Sequence, residues 1–212
     1  MRSFNIPHHF RSPIISRVKA KRKELDARKQ DFSPATLDFG PVKIQLARHF
    51  GFCFGVENAI EISYKAIAEN PDKRIFLLSQ MIHNPEVNED LESRGVKFLQ
   101  DTLGNEITSM DEVKADDVVI IPAFGATLEI QAKLAEKGVD VLKYNTTCPF
   151  VEKVWKRSAK LGAENYTIII HGKPNHEETR ATFSHAAAEG HAVIVADIAE
   201  AEKLVELLKR QG

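Results

Sequence analysis

Tyr166 to Ala196 reads Y-T-I-I-I-H-G-K-P-N-H-E-E-T-R-A-T-F-S-H-A-A-A-E-G-H-A-V-I-V-A. A β-branched apolar run (Tyr166–His171) leads into a polar loop, then a helical segment from Glu178 to Ala188, then a second apolar run (His191–Ala196). Strand, helix, strand in so short a span is the pattern of two parallel strands joined by a crossover helix. The polar loop follows the first strand and gathers His171, Lys173, His176, Glu177 and Glu178. In open α/β sheets, ligands bind beyond the carboxyl ends of the strands.

The same alternation continues outward from that unit. Apolar runs at 43–47, 74–78, 95–99, 117–122 and 139–143 predict strands, and period-3.6 spacing predicts helices over 56–69, 85–93, 128–136, 149–161 and 198–210. The fold class is therefore α/β, with small parallel sheets flanked by helices on both faces. A basic N-terminal arm is expected over 1–41, with one charged helix near 16–30. Two α/β lobes are expected at 42–148 and 149–212.

Hydrophobic content of 43% and charged content of 28% fit a globular chain that buries a core. The formal net charge is -1, which predicts no general affinity for nucleic acid. Residues 1–30 carry nine Lys/Arg and two Asp/Glu, so a basic arm precedes an acidic body. Two cysteines cannot make a disulfide framework of the secreted kind. No stretch approaches the ~20 apolar residues of a membrane span. These features predict a cytoplasmic setting, with an organellar transit leader as the alternative for the Arg-rich start.

The unusual residues fall in the slots after strands. G-F-C-F-G (51–55) follows the first, H-N-P-E (83–86) the next, P-A-F-G-A (122–126) and N-T-T-C-P (145–149) come after two more, and the His171–Glu178 loop after another. Pro149 favours a first helical position, which puts Cys148 at an N-cap, and Cys53 also lies just before a helix. A helix N-terminus favours an anionic side chain, and thiolate is the metal-binding form of cysteine. Gly51 and Gly55 would let backbone approach a bulky inorganic group, with Phe52 and Phe54 excluding water; the plain alternative is two small buried hydrophobes. His83 and His176 each precede a helix start, a ready-made anion site suited to diphosphate. Glu178 would supply a proton if burial raised its pKa; otherwise it only complements the helix dipole. Asn145, Thr146 and Thr147 are expected to hydrogen-bond within their turn, with a ligand contact as the alternative for the threonines. Trp155 is expected in the core. No dinucleotide fingerprint, P-loop, H-E-x-x-H or C-x-x-C is present.

Taken in order, G-F-C-F-G-V, I-H-N-P-E-V, P-A-F-G-A, T-T-C-P-F-V-E-K-V-W and H-G-K-P-N-H-E-E-T resemble the 4-hydroxy-3-methylbut-2-enyl diphosphate reductase family, from about Lys43 onward. The basic arm and A-F-G-A resemble its longer, N-terminally extended branch. The resemblance implies a trefoil-like enzyme of three α/β lobes around a [4Fe-4S] cluster. That enzyme performs the terminal step of the methylerythritol phosphate pathway. It removes the substrate's hydroxyl with two electrons, drawn from ferredoxin or flavodoxin, to give isopentenyl and dimethylallyl diphosphates. Matched by motif, Cys53 and Cys148 are cluster ligands, His83 and His176 bind diphosphate, and Glu178 feeds protons to the substrate.

Three departures stand out. The family's third cysteine ligand lies in a later lobe, so these residues resemble the first two lobes of a longer protein. Phe124 stands where many members have histidine and cannot donate to a phosphate. Asn145 stands where aspartate is usual before T-T-C-P. Two other readings are weighed: a truncated, non-catalytic remnant binding a phosphorylated ligand or partner, and a mononuclear metal or zinc site built from Cys53, Cys148 and a histidine.

Overall fold

The computed structural model describes residues 12–28 and 30–211; the start of the basic arm, with His8 and His9, and Lys29 lie outside the described residues. The chain falls into two compact units, Met1–Cys53 and Phe54–Gly212.

In the first unit, α1 spans Pro13–Leu25 rather than the expected 16–30. Ser12 caps it by accepting from the Ile15 N–H, and Pro13 occupies the first turn. Asp26 ends it, its carboxylate accepting the Gln30 and Asp31 backbone N–H groups at 3.0 and 2.8 Å. Arg22 donates to the Ala47 and Arg48 carbonyls at 3.1 and 2.5 Å. β1 (Ala35–Asp38) and β2 (Lys43–Leu46) form an antiparallel hairpin in register Ala35↔Leu46 and Asp38↔Lys43. K-I-Q-L was expected in a parallel sheet, and its partner strand lies in a stretch read as loose arm. The turn explains the pairing: Phe39 N–H donates to the Val42 carbonyl at 3.0 Å, and Gly40 adopts φ +84°.

In the second unit, α2 (Phe54–Glu69) precedes a three-stranded parallel sheet of order β4-β3-β5, formed by Val96–Phe98, Ile75–Leu77 and Val118–Ile120. α3 (Pro85–Ser93) makes the crossover from β3 to β4. Every residue of β3 and β5 is buried, as fits a parallel sheet covered by helices. The core gathers Phe76, Leu78, Leu99, Val119, Ile121 and Leu134, the last from α4 (Leu128–Glu136). α5 (Pro149–Ala163) leads to β6 (Ile168–His171), α6 (Glu177–Ala187) and β7 (Ala192–Val195), and α7 (Ile198–Gln211) follows. β6 and β7 pair in parallel, Ile168↔Ala192 to His171↔Val195, the crossover expected from the opening stretch.

The expected strand at 139–143 is not one. Asp140 accepts the Leu142 and Lys143 N–H groups at 3.1 and 3.2 Å, which folds the segment into turns. Val139 and Val141 still pack on the core. Only Asn145 then joins the sheet, as a parallel bridge to Ile121.

Candidate functional site

The loop after β3 carries His83, and its shape is set from below. Buried Asn88 accepts from Met81 N–H at 2.9 Å and donates to the Ile82 and Asn84 carbonyls at 2.9 and 3.0 Å. Asn84 caps α3 by accepting from Val87 N–H, with Pro85 in the first turn. His83 is thus held on a loop with little freedom to move.

The loop after β6 carries His176, which caps α6. Its Nδ1 accepts from the Glu178 backbone N–H at 3.3 Å. A neutral ring that accepts at Nδ1 carries its proton on Nε2, which is then a donor for a ligand. His171 is fixed by an Nδ1 contact of 2.9 Å to the Val195 carbonyl.

These loops bring the two histidines together. The His83 and His176 ring centroids lie 5.3 Å apart, edge to face. Phe124, from the loop after β5, stacks on His83 at 4.4 Å and 26°, and meets His176 at 6.2 Å. Phe124 offers no donor, but it supplies an apolar wall to the pair. Its loop is locked from behind. Gly125 has φ +83°, and a Cβ there would run into the Trp155 ring. Trp155 is buried, as expected, stacked on His185 at 3.8 Å, and it donates Nε1–H to Thr182 Oγ1 at 3.1 Å.

Glu178 is exposed. The buried carboxylate is its neighbour Glu177, only 5% accessible. Ser79 Oγ donates to Glu177 Oε2, while Oε1 is buried and has no hydrogen-bond partner. Oε1 lies 3.9 Å from His83 Nε2. Burial pushes the Glu177 pKa up to about 7, against the Ser79 hydrogen bond and the Arg180 charge, which lower it. Burial also lowers that of His83, helped by the charge on His176, while Glu178 raises it. Both shifts favour neutral forms, so the 3.9 Å contact is a poised pair rather than a formed ion pair. Sequence reasoning assigned no role to Glu177 or Asn88, and it set Phe124 aside as a non-donor.

Cys148 sits at the N-cap of α5, as expected, and is half-buried with no side-chain capping bond. Its N–H donates to the Ala123 carbonyl at 2.9 Å. Asn145 Oδ1 accepts from Thr147 N–H and Oγ1 at 2.9 and 2.6 Å, the intra-turn bonding expected of T-T-C-P, whereas Thr146 Oγ1 reaches out of the turn and donates to the Ile121 carbonyl at 2.6 Å. Gly55 packs against this thiol: a Cβ there would lie 2.5 Å from Cys148 Sγ. Cys53 is exposed and immediately precedes Phe54, the first residue of α2, which is itself exposed.

The donors suit an iron–sulfur group in kind but not in number. The sequence holds two thiols, and among the described residues no three His, Cys, Asp or Glu side chains form a metal-holding group. Clusters of this kind use several thiolates. The set in this chain does not by itself complete a cluster site.

Comparison with known proteins gives a consistent result. The family model described as LytB protein matches residues 44–211. A 4-hydroxy-3-methylbut-2-enyl diphosphate reductase from a Cyanothece species is 43% identical over 174 residues, covering 82% of this chain and 41% of that protein. The enzyme of the same name from a Nostoc species is 41% identical over 177 residues, covering 84% and 42%. Among solved structures, (E)-4-hydroxy-3-methyl-but-2-enyl diphosphate reductase, the terminal enzyme of the non-mevalonate pathway, aligns with a TM-score of 0.60 at 29% identity, over 72% of this chain and 50% of that one. The Plasmodium falciparum E-1-hydroxy-2-methyl-but-2-enyl-4-diphosphate reductase aligns at 0.61 and 28%, over 72% and 44%. The chain spans about two-fifths of the length of these curated relatives.

Proposed function

We propose, because this chain belongs to the LytB protein family, that it supplies the diphosphate-binding and proton-donating part of a 4-hydroxy-3-methylbut-2-enyl diphosphate reductase, whose reaction replaces the substrate's allylic hydroxyl with hydrogen. The observation that carries this reading is the histidine pair. His83 and His176 come from the loops that follow β3 and β6, strands of two separate parallel sheets, and meet with ring centroids 5.3 Å apart; ligands of open α/β sheets bind beyond such strand ends. Such a pair suits the two phosphoryl groups of a diphosphate. His176 donates from Nε2, its Nδ1 being occupied by the Glu178 N–H. Glu178 is not buried, so its proposed role of feeding protons to the substrate rests on its match to the family's motif and on its place one cap contact from His176.

Cys53 and Cys148 are proposed as two thiolate ligands of a [4Fe-4S] cluster, by their match to the family's motifs. When bound, such a cluster supplies electrons and a Lewis-acidic iron. Ferredoxin or flavodoxin is the proposed electron source. The lobes at 42–148 and 149–212 are retained as the proposed division of the catalytic body. No helix among the described residues is long and apolar enough to cross a membrane; a cytoplasmic setting is part of the proposal.

The test is calorimetry with inorganic diphosphate on the chain itself. Binding at neutral pH, weakened at least tenfold by His83→Ala and by His176→Ala, is the expected result. Equal affinity in the two variants and the wild type would remove the histidine pair from the site. Anaerobic reconstitution with iron and sulfide, followed by substrate consumption under a strong reductant, tests the wider reaction. Diphosphate binding with no reductive turnover would leave a phosphate-binding remnant.

A further inference from the structure

Glu177 is buried beside His83 and is used by neither α6 capping nor the proposed proton delivery. Carboxylates are almost never fully buried unless paired, yet its Oε1 has no hydrogen-bond partner. The nearest complementary group is His83 Nε2 at 3.9 Å. The other oxygen, Oε2, accepts from Ser79, so a proton on a neutral Glu177 sits on Oε1, the side of His83. The charged groups that act on this carboxyl are Arg180 and Glu178 from α6 and Asp101 from beyond β4. Arg180 packs against Gly104, and its Nε also lacks a partner, so it does not form the bond that would close the cluster.

We propose that Glu177 is a positioning residue that stores a proton for His83. When an anion docks on the rings, the Oε1–H bond breaks, an Nε2–H bond forms on His83, and a carboxylate–imidazolium pair remains. The transfer is internal and needs no other reactant. The gap closes to hydrogen-bond length with a side-chain shift of about 1 Å. His83 thereby meets a diphosphate as a cation and returns to a neutral ring in the free protein. With Nε2 turned to Glu177, Nδ1 faces the ligand. The elevated proton affinity of Glu177 and the lowered one of His83 agree with a proton resting on the carboxyl until the anion arrives. This deepens the diphosphate reading and rests on it.

The test counts protons. Calorimetry with inorganic diphosphate at pH 6, in two buffers of different ionisation enthalpy, gives the protons taken from solvent on binding. In the wild type the proton of His83 comes from Glu177. In Glu177→Gln it must come from solvent, so the variant is expected to take up about one proton more per diphosphate bound. Equal uptake in the two proteins would overturn the proposal while leaving the diphosphate reading intact. Absence of diphosphate binding by the wild type would sink both. Should the variant not fold, the wild type alone decides by NMR. Diphosphate at pH 6 is expected to shift the His83 ring nitrogens to the imidazolium position and the Glu177 carboxyl carbon to the ionised position together. A Glu177 signal that does not move would overturn the proposal.

Discussion

β2 and β3 are both short, apolar-rich strands, and they end in opposite situations. β3 lies between two parallel neighbours, with Phe76 and Leu77 fully buried. β2 has a single antiparallel partner, and none of its residues is buried; Ile44 remains 48% accessible. A two-stranded ribbon is marginal by itself, whereas a covered parallel sheet carries a core. The difference teaches where this protein can afford precision. His83 stands on a loop leaving the covered β3, whereas His176 leaves β6 of a two-stranded sheet and is held instead by its place as the cap of α6.

The largest effect should come from the centre of the covered sheet. Phe76→Ala empties a fully buried position on the middle strand and is expected to cost about 3–5 kcal/mol in denaturant unfolding. A cost under about 1 kcal/mol would erase the contrast between the two strands.

The buried carboxyl at the end of the second parallel pair comes next. The Glu177 pKa is raised from 4.5 to about 7, so the folded state holds its proton more tightly than the unfolded chain does. Its contribution is therefore full below about pH 4.5 and is lost as pH rises through about 7. Over that window the wild type should lose on the order of 3 kcal/mol relative to Glu177→Gln, whose amide does not titrate. Parallel stability curves for the two proteins would show that Glu177 is not buried as described.

Third is the support of the Phe124 loop. Gly125→Ala forces a left-handed backbone on alanine and drives a methyl into Trp155. A loss of about 2 kcal/mol is expected in thermal unfolding, with weakened diphosphate binding because Phe124 leaves the face of His83. Unchanged melting and binding would mean that the loop is not locked by Trp155.

Much of this was legible from the chain. The strands at 75–77 and 118–120 are unbroken, fully buried apolar runs, as a covered parallel sheet favours, while 96–98 is an edge strand that keeps the Val96/Phe98 alternation around an exposed Lys97. Asn84-Pro85, Cys148-Pro149 and His176 all stand at helix starts, because capping is local chemistry. Segments whose state depends on one polar contact were harder. Val139-Asp140-Val141 has strand alternation, but the Asp140 carboxylate captures two N–H groups and bends the chain. A-T-L-D was hidden between prolines, although it faces K-I-Q-L across a glycine turn. Within the site, sequence reasoning favoured Glu178 and passed over Glu177. Helix phase was the available signal: Glu177 lies one turn before Ala181, a buried position of α6. Phe124 was set aside because it cannot donate, and an apolar wall leaves no signature in donor counts.

The smallest expected effect closes the comparison from the other side. Ile44 is roughly as apolar as any residue of β3, so residue type alone would predict a similar cost of truncation. Its partner Leu37 is also 45% accessible, and the ladder bonds of the hairpin come from backbone. The Asp38–Lys43 pair beside the turn is exposed and adds little. Ile44→Ala should therefore change unfolding free energy by no more than about 0.5 kcal/mol, and the β1 and β2 amides should exchange with solvent well before those of β3. A loss above about 2 kcal/mol would require the Ile44 side chain to be covered, and strand burial would then no longer separate the two regions.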